Sequence, residues 1–451
     1  MSFEGKDVLV VGLGASGWAA ARRLVELGAR VRVTEVAATP EMAERAESLR
    51  SSGAVVEVGG HDLEHLEADI AIVSPGIPPT SVIMKALEHS ATPVISEIEL
   101  AYQLASCDFL AVTGTNGKTT TTSLLASILD RSGIPSVAAG NIGLPLIEAI
   151  SQVGAGGAIA LEVSSFQLAG IDSFRPRVAV LLNIAEDHLD WHGSIAEYAA
   201  AKARIVENQK DDDYFVVNRD DGRAWNVASL ARSRVIPLST SSAPEDGIGV
   251  SSGSVVWRGE PLMDATQIRL PGRAGAEDTL AAVAAALCYG IEPTAALEAV
   301  ARFSPLRHRI EKVAEFDGVS YIDDSKATNP HATLAAVSGL HDVVLIAGGR
   351  SKGIDLTPLR STVPPVIAVV AIGEAAAEVV EVFEGLVPVD RATNMPEAVR
   401  AARSRSVSGG SVLLAPGCAS LDMYKSYAER GDDFARSVRD LPERSRKEGE
   451  V

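Results

Sequence analysis

The apolar run Phe109-Leu110-Ala111-Val112 leads into Thr113-Gly114-Thr115-Asn116-Gly117-Lys118-Thr119-Thr120, and Thr121 to Leu129 then continues in a helical pattern. A strand that passes through glycine-rich backbone and at once opens a helix is half of a βαβ unit, so the chain is committed to a parallel α/β sheet at this point. The turn also implies a ligand. Its backbone N–H groups and the helix N-terminus face outward together, a lysine adds a point charge, and a threonine hydroxyl is placed for Mg²⁺. Gly114, Thr115, Asn116, Gly117, Lys118, Thr119 and Thr120 therefore read as an ATP site in a P-loop-type domain. The strict loop pattern puts a glycine where this chain has Val112, so the generic motif is missed by one residue.

A chain of 451 residues, 46% of them apolar, is long enough for about three domains with cores of their own. No uncharged run is longer than Ser132 to Ile147, which is broken by Gly133, Pro135, Gly140, Gly143 and Pro145, and this excludes a membrane helix there. Residues Met1 to Asp7 run straight into a strand pattern and do not resemble a signal peptide. Three cysteines without metal spacing suit a reducing cytoplasm. The net charge of −18 argues against nucleic acid as a partner. A cytoplasmic protein, monomeric and without membrane insertion, is the expectation.

Residues 1–96 read as a Rossmann-like unit. Val8 to Val11 is a buried strand, and Gly12-Leu13-Gly14-Ala15-Ser16-Gly17 is a full G-x-G-x-x-G turn, with Glu35 about 20 residues on where a ribose-binding acid is sought. Taken alone, this pattern fits NAD and an oxidoreductase as well as any other diphosphate on a helix N-terminus. Residues 97–304 form the central ATP-binding domain, with a mainly parallel sheet. Polar residues follow its strands at Glu162, Ser164 and Ser165, then at Asn183 and at Glu186-Asp187-His188. A Ser-rich tract from Ser239 to Ser254 reads as a β-rich insertion. Residues 305–451 form a third, Rossmann-like α/β unit whose last residues, Arg444 to Val451, are expected to fray. Ile195, Tyr198, Lys202 and Ile205 recur at helical spacing, which turns Lys202 inward on an apolar stripe.

Taken together, Thr113 to Thr120, Asn183 to His188, His308-Arg309 and Asp324-Ser325-Lys326-Ala327-Thr328-Asn329 resemble the Mur ligase family, ATP-dependent enzymes that add amino acids to the peptidoglycan precursor. The resemblance runs over all three units. Val10 to Gly17, Ser74 to Pro78, Leu161 to Leu168 and Ala419-Ser420-Leu421-Asp422 are most similar to its D-glutamate-adding branch. It implies UDP-N-acetylmuramoyl-L-alanine and D-glutamate as substrates, and it makes NAD the lesser reading. Gly14, Ala15, Ser16, Glu35, Ser74, Pro75, Gly76 and Asn141 would hold the UDP substrate. Asn141, Asp278, Arg309 and Asp324 would join the phosphate loop around ATP. Thr119, Glu162, His188 and Lys202, the last as a carbamate formed with CO₂, would hold Mg²⁺ at two sites. Lys118, Glu162, His188, Lys202 and Lys326 would be catalytic, while Thr328, Lys352, Ser420 and Tyr427 would bind D-glutamate. One stretch departs from the family: Gly272 is followed by Arg273-Ala274-Gly275-Ala276-Glu277-Asp278, so only Asp278 can replace an expected asparagine near the nucleotide.

Overall fold

A computed structural model describes residues 2–442, so the expectation for Arg444 to Val451 lies outside the described residues. Three sheets make up the α/β fold. The first has the strands β1 (Asp7–Val11), β2 (Arg30–Glu35), β3 (Val55–Val58), β4 (Ile70–Val73) and β5 (Val94–Ser96) in the order β3-β2-β1-β4-β5, all parallel. Strand order reverses between β1 and β4, the place where a doubly wound sheet opens a crevice beyond its carboxyl ends.

The second sheet has β6 (Asp108–Thr113), β7 (Ser136–Gly140), β8 (Ala158–Glu162), β9 (Val178–Leu181), β10 (Tyr214–Asn218), β11 (Arg234–Ser239), β12 (Ile248–Ser251), β13 (Ser254–Trp257) and β14 (Glu260–Asp264). Its order is β14-β13-β12-β11-β10-β9-β6-β8-β7, parallel from β7 to β12 and antiparallel over the last two strands. The Ser-rich tract thus ends the sheet as a meander. Strands β6, β8 and β9 are covered on both faces, which explains their unbroken apolar runs.

The third sheet has β15 (Glu311–Phe316), β16 (Val319–Asp323), β17 (Val343–Gly348), β18 (Val366–Ile372), β19 (Val389–Ala392) and β20 (Ser411–Leu414) in the order β15-β16-β20-β17-β18-β19. Only the hairpin β15–β16 is antiparallel. By packing, among the described residues, 2–184, 191–267 and 277–303 form one compact unit, and 185–190, 268–276 and 304–442 form another. Among the described residues no helix is long and apolar enough to cross a membrane.

The helix Glu97–Leu104, which follows β5, carries two buried acids with opposite fates. Glu99 collects the N–H groups of Asp172, Ser173 and Phe174 and the hydroxyl of Ser173, and these bonds outweigh burial and hold its pKa below the usual value. Glu97 receives the N–H of Ile147 at 3.0 Å, a surrogate cap for the helix Leu146–Val153, whose own N-cap is Pro145. Burial pushes the Glu97 carboxyl up to about 7. Because that folded-state value is raised, the stabilising contribution of neutral Glu97 is complete below the unfolded carboxyl range and is lost as pH rises through about 7. Glu97→Gln keeps the acceptor and removes the charge. We expect it to leave stability unchanged near pH 4 and to raise it by on the order of 3 kcal/mol at pH 8. Urea denaturation at both pH values checks this, and an equal gap at both would refute it.

Candidate active site

The phosphate-loop turn joins β6 to the helix Lys118–Arg131. Gly117 caps the helix in the left-handed region at φ 85°, where a side chain is strained, and a Cβ there would lie 2.1 Å from Asp278 Oδ1 and displace that carboxylate. Asn183, at the end of β9, fastens the turn: its Oδ1 accepts from the N–H groups of Thr115 (3.1 Å) and Asn116 (2.8 Å), and its carbonyl accepts from Thr115 N at 2.9 Å. Lys118 Nζ donates to the carbonyls of Gly114 (3.0 Å) and Thr115 (2.9 Å). The ammonium is therefore folded over the turn, where an anion on the loop amides would meet it.

Three further residues converge on this turn. Lys202, on the helix Ile195–Ala203, is 1% exposed and donates to Gly114 O at 2.7 Å. Its inward phase, read from helical spacing, is what the structure has. Tyr198 lies one turn earlier, with its ring 4.5 Å below the Lys202 Nζ and its hydroxyl donating to Thr115 Oγ1 at 3.2 Å. Asp278, on the helix Gly272–Tyr289, is 8% exposed and accepts from Thr121 Oγ1 at 3.3 Å. Although Ala274 and Gly275 depart from the pattern that the resemblance implies, that residue reaches the phosphate-loop helix. Thr119 and Thr120 stand in the first turn of the same helix.

Glu162 ends β8, next to β6 in the sheet. It is 2% exposed; its Oε1 accepts from Asn141 Nδ2 at 2.8 Å, while its Oε2 is buried with no hydrogen-bond partner. An orphaned carboxylate oxygen is costly unless a cation completes it. With the Thr119 hydroxyl at the start of the neighbouring helix, this oxygen set is of the hard, partly open kind that Mg²⁺ takes.

In the first sheet, Gly14 to Ser16 follow β1, and Ser74, Pro75 and Gly76 follow β4, so the two groups meet at the reversal point. The helix Ala15–Glu26 starts at Gly14 without a side-chain cap, leaving its first N–H groups for a ligand. A Cβ on Gly17 would lie 2.1 Å from Gly12 O, so the third glycine is required by close packing of helix on strand. Glu35 does not stand free: its two oxygens accept from Leu13 N (2.7 Å) and Ala37 N (2.8 Å), bracing the turn. Ser74 Oγ is buried and has no partner.

In the second unit, the ends of three adjacent strands carry the remaining residues. Asp324, Lys326 and Thr328 follow β16, Ser420 follows β20, and Lys352 follows β17. The last two loops are tied, since Arg350 and Ala419 exchange both backbone bonds at 2.9 Å. Lys326 Nζ lies 4.0 Å from the centre of the Tyr427 ring. Asp324 accepts from Ile310 N at 3.3 Å, and burial pushes its carboxyl up to about 7 against the opposing charge of Arg309. Asp187 and His188 also pack with this unit, His188 at φ 54° with its N–H on Asp187 Oδ1 at 2.9 Å.

Two residues of these sites were not singled out for a role by the sequence. Tyr198 stands in the sequence only as a member of the apolar stripe, although sharing a face with Lys202 is itself the signal. Arg430, 2% exposed in the helix Tyr427–Arg439, lies in a charged stretch and carries no motif.

Comparison with known proteins agrees with this layout. Residues 6–96 match the Mur ligase MurD-like N-terminal domain, residues 112–286 the Mur ligase middle domain, and residues 308–418 the Mur ligase glutamate ligase domain. A UDP-N-acetylmuramoylalanine–D-glutamate ligase of Geobacillus kaustophilus is 42% identical over 445 residues, 97% of this chain and 98% of that protein. One so named from Pelotomaculum thermopropionicum is 41% identical over 448 residues, with 97% and 98% covered. Among solved structures, a UDP-N-acetylmuramate–alanine ligase from Thermotoga maritima gives a TM-score of 0.59 at 19% identity, covering 96% of this chain and 99% of that one. MurF from Acinetobacter baumannii gives 0.60 at 18%, covering 96% and 91%. At such identities the two structures speak for the fold alone.

Proposed function

The chain belongs to the Mur ligase family, and from that premise we propose that it is the enzyme that joins D-glutamate to UDP-N-acetylmuramoyl-L-alanine with the conversion of ATP to ADP and phosphate. The observation that carries this reading is identity of about 40% along the whole chain with enzymes so named. Mur ligases are ATP-dependent amide-forming enzymes that need Mg²⁺.

A carboxylate does not acylate amines, so it must first be activated. The acceptor carboxylate attacks the γ-phosphorus and ADP leaves; the D-glutamate amine then attacks the acyl carbon, loses a proton, and phosphate departs. Phosphoryl transfer calls for positioning and charge neutralisation, not covalent help from the protein. The loop amides held by Asn183, together with Lys118, grip the outer phosphates. Mg²⁺ would neutralise phosphate charge, held by Thr119 and the orphaned oxygen of Glu162, with His188 and a Lys202 carbamate as the ligands of a second ion. Carbamylation needs a neutral amine away from water, and the 1% exposure of Lys202 supports it. Arg309, Asp324 and Asp278 are assigned to the nucleotide, and Lys326 to the transferring phosphate. The uncapped helix at Gly14 and the unpartnered Ser74 hydroxyl support a UDP site at the β1/β4 reversal, with Ala15, Ser16, Glu35, Pro75, Gly76 and Asn141 around it.

Lys352, Ser420, Thr328 and Tyr427 are assigned to D-glutamate, whose two carboxylates need donors at separated points. Lys352→Ala should remove one charged hydrogen bond, worth about 1.5–3 kcal/mol. The KM for D-glutamate is expected to rise roughly 10- to 150-fold while that for ATP stays within about twofold. Steady-state kinetics with each substrate varied in turn checks the split. A variant with an unchanged KM for D-glutamate would show that the amino acid binds elsewhere.

A further inference from the structure

Arg430 is buried deep in the second unit, yet among the described residues no carboxylate accepts from its guanidinium. Its Nε donates to Ser325 Oγ at 3.0 Å; its Nη2 donates to Ser325 O at 2.8 Å and to Cys418 O at 3.2 Å; its Nη1 donates to Cys418 O at 3.1 Å. Ser325 Oγ, while accepting from Arg430, donates to Tyr427 O at 2.7 Å. Burial lowers the arginine pKa to about 10, so the group stays charged at neutral pH. A buried cation satisfied by a hydroxyl and carbonyls is poor value for stability, because an apolar side chain of similar size would fill the space without the cost of desolvation. What the fork does supply is fixed geometry between the segments whose carbonyls it shares.

Those segments are the ones that carry the strand-end residues. Ser325 is the neighbour of Lys326, and Cys418 lies two residues before Ser420. Ala419, between them, exchanges both backbone bonds with Arg350, two residues before Lys352. Tyr427, whose carbonyl closes the network through Ser325, is the residue whose ring lies beneath the Lys326 ammonium. The planar guanidinium thus spans the loops after β16 and β20 and, through the Arg350–Ala419 bridge, reaches the loop after β17.

We propose that Arg430 is a positioning residue that sets the separation between Lys326, at the reacting phosphate, and the Ser420 and Lys352 groups that receive the amino-acid carboxylates. This rests on the D-glutamate reading above. The consequence is specific to one substrate: with the bracket loosened, the amine of D-glutamate is no longer delivered to the acyl carbon, while the phosphate loop is untouched.

Three variants test it: Arg430→Met, which keeps length and loses the fork; Arg430→Lys, which keeps charge but cannot bond both carbonyls in a plane; and Ser325→Ala, which removes the shared hydroxyl and leaves the helix unaltered. Each is expected to raise the KM for D-glutamate and lower kcat, with a combined loss in kcat/KM of roughly tenfold or more, while the KM values for ATP and the UDP substrate stay within about twofold. Guanidinium at millimolar concentration should restore part of the activity of a fourth variant, Arg430→Ala. A structural role alone would lower the melting temperature and leave every KM unchanged, and that result overturns the proposal; if Arg430→Met does not fold, Ser325→Ala and Arg430→Lys decide. The wild-type control separates the two levels. Wild-type enzyme that ignores D-glutamate overturns the function itself, whereas normal D-glutamate kinetics in the variants overturn only the role of Arg430.

Discussion

Lys118→Ala should lose turnover by a factor of roughly 10³ or more, because Lys118 is the phosphate loop's own cation, placed to neutralise charge as the γ-phosphoryl group moves. The Lys118 ammonium is held by Gly114 O and Thr115 O, which place it on the concave side of the turn without help from the ligand. Removing it leaves the Asn183 bonds to Thr115 and Asn116 intact, so the turn should keep its shape. The loss should therefore fall on kcat more than on folding. Single-turnover kinetics with matched melting curves measures both, and a variant that turns over at the wild-type rate would remove the ATP assignment from this loop.

Lys202→Ala is the second large effect, expected at roughly 10²- to 10³-fold in kcat. Here the reason is an exchange of charge. Lys202 donates to Gly114 O from a position that is 1% exposed, over the Tyr198 ring, and CO₂ would turn that cation into an anion able to hold a metal ion. If so, a short carboxylate such as formate or acetate should enter the space left by the side chain and restore part of the rate, and the wild type should slow in CO₂-depleted buffer. Rescue by carboxylates, with none by alkylamines, is the expected pattern. The opposite pattern, rescue by amines alone, would mean that the cation itself is the working group.

How much of this was legible in the sequence follows from which interactions are local. The strand-to-helix turns at Gly12–Gly17 and Gly114–Thr120 announce themselves because glycine geometry and helix N-termini are written in consecutive residues. The phase of Lys202 was legible for the same reason: spacing of three and four residues fixes a helix face. The bracing of Glu35 was not. A carboxylate 20 residues after such a turn reads as a ligand for ribose, and only the fold shows that its oxygens also accept from Leu13 N and Ala37 N. Arg430 lay further out of reach. Its partners are 105 and 12 residues away, and Tyr427-Ala428-Glu429-Arg430 carries no pattern that distinguishes a buried arginine from an exposed one. The same holds for the unpartnered oxygen of Glu162, since an orphan can be recognised only when all of its neighbours are in place.

The most direct measurement is ADP release from wild-type protein with ATP, Mg²⁺ and UDP-N-acetylmuramoyl-L-alanine, with D-glutamate, L-alanine, L-lysine, diaminopimelate or no amino acid added. A pocket whose donors expect two carboxylates leaves one unpaired with L-alanine or L-lysine, at about 1–3 kcal/mol, while diaminopimelate, which has two carboxylates, brings a longer chain and a distal ammonium. We expect sustained release with D-glutamate alone, and a product heavier than the acceptor by one glutamyl residue. Comparable turnover with L-alanine or diaminopimelate would contradict the account.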